Sequence, residues 1–171
     1  NMTAFPLMAT KLKEYLGDRC SIDSVAIASP DQGGIERARE FGKCLFNTDE
    51  FDLTVVEKHR DQEHKHMSEA LGLYGNVKGK TVILVDDMIT SGGTLMHAAE
   101  LALERGAKAV IAAIVHHDFS ATAPKKLQDS KLEAIISTNS IALKPEQNIE
   151  KLKEVSISPI IAAEIATTFQ K

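Results

Sequence analysis

The chain has 171 residues, about one domain's worth at roughly 150 residues per domain. Hydrophobic residues make up 43% and charged residues 26%, which excludes a disordered, collagen-like or coiled-coil chain. The net charge of −4, from 20 Lys and Arg against 24 Asp and Glu, argues against nucleic acid as partner but permits a local cationic site for a phosphorylated metabolite.

In chain order, apolar residues at helical spacing (Leu7, Met8, Leu12, Tyr15, Leu16) predict a first helix. Val25 to Ala28 is a short apolar run closed by Ser29-Pro30, the pattern of a buried strand and turn. Helical periodicity returns from Gly33 to Phe46, and Leu53 to Val56 reads as a β-branched strand. Glu57 to Met67 is polar and aperiodic, the pattern of a loop. Thr81 to Val85 is the strongest strand pattern in the chain, and Thr94 to Arg105 a helix with Gly106 as its C′ residue. Ala109 to Val115 predicts a strand, Ala121 to Gln128 a helix with Pro124 near its first turn, and Glu133 to Ser137 a strand. Val155 to Ile157 reads as a short strand before a last helix that reaches Phe169, with Ser158 as cap and Pro159 first inside. Continuous apolar strands alternating with helices imply one α/β domain over 1–171, a mainly parallel central sheet flanked by helices.

No apolar run reaches the roughly 18 residues of a membrane span. The first residues lack the basic flank and apolar core of a signal peptide, so the expected setting is cytoplasmic, without membrane contact. Cys20 and Cys44 are isolated and form no CxxC, the usage of inert thiols. His59, His64 and His66 cluster without a second ligand group, which favours a solvated loop over a zinc site. Met88 and Met96 read as core packing.

The segment from Val85 to Thr94 carries the chemistry, between the best strand and a helix. Gly92 and Gly93 let the backbone turn tightly and bring amides toward a ligand, while Thr90, Ser91 and Thr94 add hydroxyls. The positive end of the following helix completes a phosphate cradle at the carboxyl end of a strand, where open parallel sheets bind ligands. Asp86 and Asp87 would repel a dianion, so they are expected to face sugar hydroxyls or a metal ion. The whole reads as a ribose-phosphate site.

This loop resembles the phosphoribosyl-diphosphate motif of the type I phosphoribosyltransferase fold. Ser29 to Ala38 resembles the pyrophosphate-side loop of the ribose-phosphate pyrophosphokinase family, also called phosphoribosyl pyrophosphate synthetases. Lys58-His59-Arg60 is similar to the lysine-x-arginine of that family's mobile catalytic loop. Gly75 to Lys80, and His116 with Phe119-Ser120, also fit, so the resemblance covers nearly the whole chain. It matches the second half of the family's usual chain, so a complete ATP site is not expected here.

The resemblance implies transfer of the diphosphoryl group of ATP to the 1-hydroxyl of ribose 5-phosphate. It makes Lys58 and Arg60 the catalytic clamp on the transferring group, and Asp86 and Asp87 the contacts to the ribose hydroxyls. Thr90, Ser91, Gly92, Gly93 and Thr94 become the 5-phosphate cradle. Asp31, Gly33 and Gly34 become the pyrophosphate loop, with Asp31 a ligand of Mg²⁺, the implied cofactor. ATP and ribose 5-phosphate are the implied partners, in a homodimer or larger homo-oligomer. The chain departs from the pattern at Thr90, where many members carry an aspartate. Two other readings remain open: a phosphoribosyltransferase, which would need a hood segment not found here, and a non-catalytic relative that binds the sugar phosphate alone.

Overall fold

A computed structural model describes residues 2–59 and 70–169, with the side chains of 57–59, 70 and 71 left aside. The element order is α1 (Phe5–Leu16), β1 (Val25–Ser29), α2 (Ile35–Phe46), β2 (Leu53–His59), β3 (Ala70–Tyr74), β4 (Thr81–Ile89), α3 (Gly93–Glu104), β5 (Ala109–His117), α4 (Ala123–Asp129), β6 (Ala134–Thr138), β7 (Leu152–Val155) and α5 (Ser158–Phe169). The strands form one sheet in the order β3-β2-β1-β4-β5-β6-β7. Every neighbouring pair is parallel except β2 with β3, which is antiparallel.

Alternation along buried strands sends side chains to two layers. Ile27, Ile83, Val85, Ile111 and Ile136 meet α1 and α2 through Met8, Leu12, Phe41 and Leu45. On the other face Ala28, Leu84, Ala112, Ile114 and Ile135 meet α3 and α4 through Leu95, Ala99 and Leu127. With helices on both faces the strands need no polar side, which is why they read as continuous apolar runs. Chain order reverses at β1, which has β2 on one side and β4 on the other. The crevice outside the carboxyl ends of β1 and β4 is therefore the topological switch point of the sheet.

The helices follow their local chemistry. Pro6 stands at the start of α1, where its missing N–H costs nothing. At the end of α3 the amides of Gly106 and Ala107 donate to the carbonyls of Leu103 and Ala102, and Gly106 takes φ 91°. That is the paired closure of a Schellman motif, as the position of Gly106 predicts.

Several elements differ from the sequence reading. β3 has no counterpart in it. β7 ends at Val155 instead of starting there. Ser158 lies inside α5, and its amide donates to the hydroxyl oxygen of Ser156 at 3.2 Å, so the capping hydroxyl belongs to Ser156. β4 runs four residues past Val85, which puts Asp86 and Asp87 in the strand itself. α5 buries none of its residues, and Ile165 and Phe169 stand exposed. No helix among the described residues is long and apolar enough to cross a membrane.

Candidate functional site

The carboxyl end of β4 opens into a cavity of about 190 Å³. Asp86, Met88, Thr90, Ser91, Gly93 and Thr94 are among its lining residues. Its floor is set by Gly92, which caps α3 with φ 77° and ψ −1°, a left-handed conformation that L side chains resist. An added Cβ there would sit 2.7 Å from Cδ2 of buried Leu127, so glycine is required twice over. The Ser91 hydroxyl accepts from the Gly93 amide at 3.5 Å, and the Thr90 carbonyl accepts from the Ser120 amide at 3.0 Å. These bonds hold a turn whose three hydroxyl side chains, Thr90, Ser91 and Thr94, remain exposed around the start of α3. Exposed hydroxyls and first-turn amides at the positive end of a helix are donors suited to an anion.

Beside this turn lies the acid pair. Arg37, in the first turn of α2, places Nη1 2.7 Å from Asp86 Oδ1 and Nη2 3.0 Å from Asp87 Oδ2. The Asp87 amide also donates to Asp86 Oδ1 at 2.9 Å. Asp86 is half-buried and Asp87 exposed. Burial pushes Asp86 up from 3.8 to about 6, with the Asp87 charge adding and Arg37 opposing. Burial also presses Asp87 upward, but its hydrogen bond with Asp86 and the Arg37 charge outweigh this and hold it below the usual value.

A raised carboxyl has a definite sign in stability. Folded Asp86 holds its proton more tightly than the unfolded chain does, so its contribution is full at low pH and is lost as pH rises from about 4 through about 6. Asp87, shifted the other way, titrates below that window. Asp86→Asn imitates the protonated acid, so its stability relative to the unsubstituted chain should improve by roughly 2 kcal/mol between pH 4 and pH 8. Urea unfolding at the two pH values measures this, and a pH-independent difference would refute the assignment.

Asp31, Gly33 and Gly34 follow β1, the parallel neighbour of β4, so they share its edge of the sheet. Asp31 Oδ1 accepts from the Gly34 amide at 2.9 Å and caps a single 3₁₀ turn that leads into α2. Gly34 is there for room: a Cβ would come 2.6 Å from Ser29 Oγ and 3.3 Å from Arg37 Nη1. Among the described residues no three His, Cys, Asp or Glu side chains gather as a metal cage.

The fold brings together the Asp31 loop, the acid pair and the cradle; the catalytic residues read from the sequence stand otherwise. Lys58 is within β2, opposite Leu71 of β3, not on the loop expected for it. Arg60, His64 and His66 lie outside the described residues. Met88, read as core, is 47% exposed at the cavity, because it sits on the emerging tail of a strand; Met96 is partly buried against the core from α3. His116 pairs in register with Met88, and its Nδ1 lies 2.7 Å from Ser140 Oγ. Its neighbour His117 is buried, with Nδ1 3.0 Å from Ser137 Oγ, and burial pushes its pKa down. Arg37, which falls within the Ser29 to Ala38 motif but received no role from the sequence, is the side chain that joins the Asp31 loop to the acid pair. Its one sequence signal was position, three residues beyond the second glycine of the Asp31 loop.

Residues 42–171 match the family described as phosphoribosyl synthetase-associated domain. The ribose-phosphate pyrophosphokinase of Fusobacterium nucleatum is 38% identical over 164 residues, covering 95% of this chain and 48% of that protein. Ribose-phosphate pyrophosphokinase 1 of Streptococcus agalactiae is 37% identical over 149 residues, 87% of this chain and 45% of its own length. The crystal structure of phosphoribosylpyrophosphate synthetase from Mycobacterium smegmatis superposes with a TM-score of 0.84 at 31% identity, covering 99% of this chain and 51% of that one. The chain thus spans about half the length of the relatives it matches.

Proposed function

Since the chain belongs to the phosphoribosyl synthetase-associated domain family, we propose that it supplies the ribose 5-phosphate site of a ribose-phosphate pyrophosphokinase. The reaction moves the diphosphoryl group of ATP to the 1-hydroxyl of ribose 5-phosphate, giving phosphoribosyl diphosphate and AMP. The observation that carries this reading is a cavity of about 190 Å³, with its left-handed Gly92, lined by Asp86 of a carboxylate pair at the switch point of the sheet.

In this reading the 5-phosphate takes amides and hydroxyls of residues 90–94, and the ribose hydroxyls donate to Asp86 and Asp87. The sugar then lies across the end of β4 with C1 toward the Asp31 loop of β1. Lys58 and Arg60 act on the transferring group, whose oxygens gather charge in the transition state. Thr90 donates to phosphate where an acid would not, so this chain's cradle is less negative than one built with aspartate there. One exposed carboxylate that already accepts from Gly34 suits a magnesium ion arriving with the phosphates and does not suit a resident cage. Asp31 would hold that ion, which when bound offsets charge on the transferring phosphates.

Calorimetry on the 171-residue chain tests the site. Ribose 5-phosphate should bind saturably at one site, inorganic phosphate more weakly and in competition with it, and ribose without measurable heat. Absence of ribose 5-phosphate binding, or affinity untouched in the Ser91→Ala/Thr94→Val double variant, would count against the proposal.

A further inference from the structure

An anion cradle next to two carboxylates is an electrostatic conflict. Asp86 lines the cavity and Asp87 is its neighbour in the chain; together they bring up to two negative charges close to a phosphate bound there, and at short range such charges repel it. The structure places one cation against both. Arg37 spans the pair with separate nitrogens, 2.7 Å to Asp86 and 3.0 Å to Asp87. A planar guanidinium fork does this in one fixed geometry; an ammonium, a point charge on a flexible stem, does not.

Three features argue against a mere helix-to-sheet staple. The arm to Asp87 is the exposed one, with Arg37 30% and Asp87 59% exposed, and exposed pairs contribute only about 0–1 kcal/mol to stability. The fork engages Asp86, which lines the cavity, and its chain neighbour Asp87, and no other carboxylate forms an ion pair with it among the described residues. The backbone also makes room for it, since a side chain at Gly34 would crowd Nη1.

We infer that Arg37 is a positioning residue of this site: by gripping both carboxylates it aims them as acceptors for sugar hydroxyls and offsets their charge beside the phosphate. The inference rests on the ribose-phosphate reading of the cavity. Because Arg37 sits at the start of α2, directly after the Asp31 loop, it also ties that loop to the acid pair across the switch point. The two functions separate by probe. Inorganic phosphate feels only the charge offset, whereas ribose 5-phosphate needs the offset and the aim of the acids.

Calorimetry with both probes, on the unsubstituted chain, Arg37→Met and Arg37→Lys, tests this. Arg37→Met should weaken both probes, ribose 5-phosphate by about tenfold or more. Arg37→Lys keeps the charge but loses the fork, so it should bind inorganic phosphate nearly as the unsubstituted chain does and remain weak for ribose 5-phosphate. Circular dichroism checks folding, and if Arg37→Met does not fold the Lys variant alone decides, by that same split between probes. Unchanged affinity for both probes in either folded variant overturns the inference, as do equal losses of both probes in Arg37→Lys. If the unsubstituted chain itself fails to bind ribose 5-phosphate, the reading of the cavity falls instead.

Discussion

Gly92→Ala should be the most damaging single substitution in the cradle, lowering stability by about 3 kcal/mol and abolishing measurable phosphate binding. Two costs add. Alanine in the left-handed region is disfavoured by roughly 1–2 kcal/mol, and Gly92 stands at φ 77°. The new methyl would also lie 2.7 Å from Leu127 Cδ2, and Leu127 is fully buried in the layer under α3 and α4, so it has nowhere to retreat. Overpacking of this kind costs about 1–3 kcal/mol. Relief requires Gly92 to leave its left-handed conformation, and that rotation turns the following amides away from the cavity. Gly93→Ala is the internal control. Gly93 has no positive φ, its nearest contact to an added Cβ is Ser91 Oγ at 3.8 Å, and it opens a helix, where alanine is favoured. Urea unfolding should therefore find Gly93→Ala within about 0.5 kcal/mol of the unsubstituted chain. Similar losses in both variants would mean that the turn does not depend on the Gly92 conformation.

The same contrast shows what could be read from the sequence. The sheet was legible because a strand buried on both faces can be written only as an apolar, β-branched run, and Val82 to Val85 with Val110 to Ile114 are such runs. The Gly92-Gly93 turn was legible because local conformation demands a particular residue there. β3 was not, since Ala-Leu-Gly-Leu-Tyr is short, holds no β-branched residue and exists by pairing with β2. The end of β4 escaped for a related reason: beyond Val85 the strand leaves the covered layer, so Asp86 to Met88 look like loop although Asp86 and Met88 still pair in register with Ile114 and His116 of β5. Met88 reads as core by residue type, yet its place on that emerging tail exposes it. Arg37 could not be paired from sequence at all. Its partners lie 49 and 50 residues away, and a charged residue on an amphipathic helix gives the same pattern whether it faces water or a carboxylate.

Asp87→Asn should weaken ribose 5-phosphate binding by about thirtyfold, the worth of a hydrogen bond to a charged acceptor. Inorganic phosphate should bind no worse, and slightly better, to the same variant. The split follows from the geometry. Asp87 is exposed and held below its usual pKa by its hydrogen bond with Asp86 and by the Arg37 charge, against the pull of partial burial, so it stays ionised throughout the range in which Asp86 titrates. An ionised acceptor facing solvent has its best use in a hydroxyl donor and is a liability to a bare anion. The amide of this variant keeps the shape, loses the charge, and leaves Arg37 with Asp86 alone, which brings the rim closer to neutral. Lys58→Ala, by contrast, should leave the equilibrium affinity for ribose 5-phosphate within about twofold, since a clamp on the transferring group acts where charge develops, in the transition state. Titrations of the three proteins with both ligands decide between these roles. A larger loss from Lys58→Ala than from Asp87→Asn would transfer the sugar contact from the β4 acids to β2. Equal loss of both ligands in Asp87→Asn would mean that the acid shapes the cavity without touching the sugar.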